Sequence, residues 1–116
     1  MEIGEKGPTG STADNISINY EEDGILLVKE LKKQVLSKGA WTTIMFLYQE
    51  YDRANKNYKP HKISLRRYQK KDGNYIQRSK FTISSDKQAH MIAKKIADWY
   101  PNTVLAGDTV EETNAE

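Results

Sequence analysis

The dipeptide Asp72-Gly73 constrains this chain more than any other feature, because it lies between two alternating segments, residues 61–71 and 74–83. A two-residue hairpin loop needs positive φ at both central positions, which Gly adopts without penalty and Asp tolerates. The spacing therefore predicts an antiparallel hairpin. In its first arm Ile63 and Leu65 fall on one face, and Lys62, Ser64, Arg66, Tyr68 and Lys70 on the other. In its second arm Tyr75, Phe81 and Ile83 share a face, and Ile76, Arg78, Lys80 and Thr82 share the opposite one. Side chains alternate along a strand, so the expectation is one greasy side toward a core and one cationic side toward solvent.

Upstream, residues 40–52 are dense in β-branched and aromatic side chains (Trp41, Thr42, Thr43, Ile44, Phe46, Tyr48), which suit a packed, pleated surface. Residues 25–37 carry Leu27, Leu31 and Val35 four apart, a spacing that fits a helix as well as a strand. Gly39 breaks the chain after them, and residues 53–60 read as a polar loop. Downstream, Ser85 and Gln88 form a capping box ahead of an apolar stripe at Ala89, Ile92, Ala93 and Ile96, closed by Trp99 and Tyr100. Pro101 stops that helix.

These elements predict an α+β domain: a four-stranded antiparallel curved sheet followed by one C-terminal helix, whose stripe covers the apolar side of the sheet. Residues 1–22 and 102–116 read as flexible acidic tails around a single domain at 23–101, although Ile16, Ile18 and Tyr20 alternate as a short strand would. A core this small is marginal alone. The second strand also has apolar residues on both faces, with Met45 and Leu47 set against Ile44 and Phe46. A homodimer whose interface completes the core answers both points.

Charge is distributed unevenly. Residues 1–24 hold six acids and one lysine, residues 101–116 four acids and no base, and residues 25–100 seventeen bases against six acids. The absence of cysteine excludes a disulfide framework and a thiol nucleophile, and two histidines make a poor basis for a metal centre. No cofactor is expected. The longest apolar run, residues 44–48, is far short of a membrane span, and the amino terminus has no apolar signal region. A cytoplasmic location is the expectation.

The six acids of the basic region (Glu30, Glu50, Asp52, Asp72, Asp86 and Asp98) show no facing pair suited to general acid–base work, so the chain does not read as an enzyme. A basic sheet face with interleaved rings is what unpaired nucleic acid requires: cations for phosphates and flat surfaces for bases. The candidate residues are Trp41, Lys62, Arg66, Tyr68, Lys70, Arg78 and Lys80, with single-stranded DNA as the expected partner and RNA as a variant. The alternative is a protein-interaction module whose basic face docks an acidic partner.

The stretch SLRRYQKKDGNYIQRSKFTISSDKQA resembles the positive cofactor four family, single-stranded-DNA-binding transcriptional coactivators with bacterial relatives. Leu65-Arg66-Arg67-Tyr68 is similar to that family's hydrophobic-Arg-Glu-Tyr strand, Asp72-Gly73 to its acidic-Gly turn, and Phe81-Thr82-Ile83 to its strand end before the closing helix. Glu30-Leu31 and Val35-Leu36-Ser37, followed by Gly39 and Trp41, look like the upstream strand of bacterial members. The family's glycine-flanked lysine pair stands here as Arg78-Ser79-Lys80, and the acid after the strand arginine is Arg67. The resemblance implies a homodimer with cationic channels for unpaired DNA and helices at the interface, serving transcription or DNA maintenance. It also implies a backbone contact from Arg66, and places Arg78 and Lys80 in the basic segment that meets DNA.

Overall fold

A computed structural model describes residues 12–101 in full and the backbone of residues 6–9 and 111–112. In chain order it contains β1 (Lys6–Thr9), a 3-10 turn (Ala13–Asn15), β2 (Tyr20–Glu22), β3 (Ile25–Lys38), β4 (Trp41–Asp52), β5 (Asn57–Tyr58), β6 (Lys62–Lys71), β7 (Asn74–Ile83), α1 (Asp86–Trp99) and β8 (Glu111–Glu112). The class is α+β, a curled antiparallel sheet with one C-terminal helix. The sheet is larger than the expected four strands. Its order is β1-β7-β6-β4-β3-β2, with β5 added to β4 and β8 pairing in parallel with β3.

Residues 25–38 resolve as a long strand rather than a helix. Pairing explains the choice, because β3 runs antiparallel to β4 from Val28↔Glu50 to Ser37↔Thr43. The 6–7 hairpin forms as predicted, with Asp72 at φ 54 and Gly73 at φ 79. An identical dipeptide, Asp23-Gly24 at φ 54 and 79, turns β2 into β3. The polar loop after β4 is held by Asp52, whose carboxylate accepts from the backbone N–H groups of Ala54 and Asn55 and from the Asn55 side-chain amide.

The core lies on one face of the sheet, here the inner face. Ile44, Phe46 and Tyr48 of β4 are buried there with Val35 of β3, Tyr68 of β6 and Tyr75 of β7. The cover is not the helix. It is the segment 12–19, which crosses the inner face and buries Ala13, Ile16 and Ile18. Residues 12–22 thus fall inside the expected tail, yet Ala13, Ile16 and Ile18 among them belong to the core. The remaining tail residues, apart from the short backbone pairings of β1 and β8, lie outside the described residues.

The helix begins as its sequence requires, with Ser85 Oγ accepting from the Gln88 N–H at 3.1 Å. It does not lay its stripe over the sheet. None of its residues is buried, and Met91, Ile96, Trp99 and Tyr100 are exposed, Trp99 by 73%. Its first turn meets the sheet end at a cavity of about 60 Å³ bordered by Leu47, Ile63, Ile83 and Ala89.

Candidate nucleic-acid interface

Register decides which side chains share a surface. In β6 and β4, Lys62 lies opposite Tyr48, Ser64 opposite Phe46, Arg66 opposite Ile44 and Tyr68 opposite Thr42. The basic face of the hairpin is therefore the face that carries the core, and the apolar set of Ile63, Leu65 and Phe81 looks outward. This reverses the expected orientation. The physical reason is β4, whose Ile44, Phe46 and Tyr48 form the largest apolar set in the sheet and draw the cover to their own side.

A second correction comes from β7. The ladder shifts between Arg67 and Tyr68, pairing Arg67 with Ser79 but Tyr68 with Gln77, so Arg78 is the extra residue of a bulge. Beyond it the alternation flips. Tyr75 shares the inner face with Lys70, and Ile76 shares the outer face with Gln69.

The seven candidate residues consequently divide. Arg66 and Tyr68 sit beneath the segment 12–19, exposed by 4% and 1%. Arg66 Nε donates to Ser64 Oγ at 2.9 Å and a terminal guanidinium nitrogen donates to Gln77 Oε1 at 3.0 Å. Burial pushes the Tyr68 phenol above its usual pKa, opposed by the adjacent Arg66 cation. Lys62 pairs with Glu50 at 3.0 Å, and that hydrogen-bonded carboxylate raises the lysine pKa. Lys70 reaches over the Tyr75 ring at 5.6 Å. Lys80 belongs to the inner side by pairing with Arg66, yet it is exposed.

Trp41 and Arg78 occupy the outer face instead. Trp41 pairs with Gln69, and Arg78 Nε donates to Gln69 Oε1 at 3.0 Å. Between them lies a residue the sequence reading passed over as a site member. The Arg67 guanidinium sits over the Trp41 indole, 4.2 Å from its centroid. A planar cation stacked on the largest aromatic ring makes a flat surface, and the exposed Arg78 guanidinium beside it can donate to phosphate. The missed signal was parity. Arg67 and Gln69 are one and three residues from Arg66, hence on the face that Trp41 shares.

Toward the other end of the outer face, Met45, Leu47 and Ile63 border a mostly apolar groove of about 310 Å³. Among the described residues there is no cluster of histidine and carboxylate groups able to hold a metal ion, and no helix long and apolar enough to cross a membrane. Comparison with protein-family models, with curated proteins and with solved structures gave no match.

Proposed function

We propose that this protein binds single-stranded nucleic acid, with DNA as the first ligand, and acts without catalysis. The observation that carries the reading is the outer-face cluster in which Arg67 stacks on Trp41 beside the bonded pair Gln69–Arg78. Bases stack on such a platform with little sequence preference, and Arg78 and Lys71 supply exposed charge for the backbone. A duplex hides the faces of its bases and fits this platform poorly. The resemblance to the positive cofactor four family points to the same ligand.

The test is a titration with oligo-dT across a salt series, read by tryptophan fluorescence. Each phosphate neutralised on a single strand contributes about −0.7 to the slope of log affinity against log salt. Binding that falls steeply with salt and exceeds duplex binding is the expected result. A flat salt response, or preference for duplex, overturns the reading. Fluorescence that responds to an acidic peptide but not to oligonucleotide supports the docking of an acidic protein instead.

The uncovered stripe of α1 supports a homodimer. Met91, Ile96, Trp99 and Tyr100 leave apolar side chains exposed along one helix, and the groove at Met45, Leu47 and Ile63 is a second apolar surface that another copy could cover. Sedimentation at several concentrations tests this, and a monomer throughout would reject it.

A further inference from the structure

We infer that residues 12–19 are an intramolecular occupant of the inner face, holding closed a second base-stacking and phosphate-contacting surface made of Lys33, Arg66, Tyr68 and Gln77. The inference rests on the nucleic-acid reading and adds to it the regulation of binding.

The first support is what lies beneath the strap. A face sealed for good is cheapest when apolar. This one buries Thr42, Ser64 and Arg66, and among the described residues the Tyr68 hydroxyl has no partner other than the neighbouring Arg66 cation. The Arg66 guanidinium bonds to two neutral oxygens, and no carboxylate pairs with it among the described residues. A buried cation without an anion is an expensive permanent arrangement and a sensible ligand contact.

The second support is how the strap is held. Apart from the 3-10 turn it has no regular structure, and residues 16–19 join no ladder. Its grip is made of a few side-chain bonds and of Ala13, Ile16 and Ile18 buried in the core. Lys33 Nζ donates to the carbonyl oxygens of Asp14 and Ile16, so these oxygens stand where phosphate oxygens would meet the same ammonium. The Glu30 carboxylate accepts from Ser17 Oγ at 2.9 Å and the Ile18 N–H at 3.2 Å, and the Glu30 N–H donates to Asn19 Oδ1 at 2.7 Å. Ile16 and Ile18 supply the apolar part. A ligand that needs the uncovered face binds with its intrinsic affinity reduced by the fraction of chains already open, so loosening the strap tightens binding.

Two changes test this in the full chain. Asn19→Ala removes one acceptor of the strap without altering charge, and oligo-dT should then bind about fivefold more tightly, the effect of one hydrogen bond on the opening equilibrium. Because the chain has no cysteine, the pair Ser17→Cys and Glu30→Cys can be joined by a bis-maleimide or capped singly. The joined form should bind oligo-dT at least tenfold more weakly than the capped form. Equal binding by the joined and capped forms overturns the inference and leaves outer-face binding standing. Failure of every form to bind oligo-dT overturns the nucleic-acid reading. The strap is then judged by amide exchange: Ile18 N–H exchanging well before the amides of β4 and β6 supports a displaceable segment, and exchange in step with them rejects it.

Discussion

Arg67 holds its guanidinium 4.2 Å from the centroid of the Trp41 indole, on the sheet face opposite to its neighbour Arg66, which is buried. Two adjacent arginines thus have different duties. One is half-buried against an aromatic ring, and the other is part of the interior.

The platform gives the first prediction. Trp41→Ala, made in a Trp99→Phe background and read by fluorescence anisotropy of a labelled oligo-dT, should cost about 1–3 kcal/mol of binding, the worth of one stacked base. Thermal unfolding separates that loss from damage to the fold.

Arg66 and Arg78 should behave oppositely. Arg66→Ala leaves Ser64 and Gln77 unpaired in the interior and should destabilise the chain by about 1–3 kcal/mol in urea unfolding. Arg78→Ala removes an exposed side chain and should change stability by no more than about 0.5 kcal/mol. Its loss should appear in oligo-dT affinity and as a shallower salt slope.

Gly24 isolates backbone strain. A methyl group there would meet nothing within 4 Å, yet its φ is +79. Gly24→Ala should therefore cost about 1–2 kcal/mol through the left-handed conformation alone. The expected readout is a lowered urea midpoint with an unchanged m-value.

Asp52 sets an acid-side dependence. Hydrogen bonds from the Asn55 side chain and backbone hold its pKa below the ordinary 3.8, with the Ala54 N–H and nearby Lys59 adding to the effect. Because the folded pKa is the lower one, its stabilising effect is present above about 3.8 and is lost as pH falls through the folded value. Carboxyl titration followed by NMR should place Asp52 below the ordinary aspartate range in the wild type. Replacing Asn55 with Ala should move it upward.

Changing Ile96 and Trp99 to Asp removes the apolar end of α1 from the dimer reading. Both side chains are exposed in the single chain. Far-UV circular dichroism should be little changed while sedimentation shifts toward the monomer, and an unshifted profile would place the interface elsewhere.

Much of the fold was legible in local chemistry. Asp72-Gly73 fixed one turn, Ser85 and Gln88 the helix start, and the β-branched run after Ala40 the central strand. Asp23-Gly24 carries the same signal between Tyr20 and Ile25, so the β2–β3 turn was equally readable and was passed over. Which face is inner depends on the pairing of β6 with β4, a long-range property that alternation within the hairpin does not contain. The bulge at Arg78 exchanged the faces of Tyr75 and Ile76 for the same reason. The strap escaped notice because Ala13, Ile16 and Ile18 are sparse among polar residues and bury themselves only against strands far along the chain. For the site, the aromatic and basic residue types were found. The division between faces, and so the importance of Arg67, needed the register.

The strap's position has a consequence for how the chain is made. Ala13, Ile16 and Ile18 are synthesised before their packing partners Tyr68 and Tyr75. Until that point the cluster has Val35, Ile44, Phe46 and Tyr48 but lacks the two rings of the hairpin. Contacts between residues so distant in sequence also close slowly. A chain that stops before the second hairpin arm lacks Tyr75 and leaves part of its inner face bare, which exposes apolar surface to aggregation.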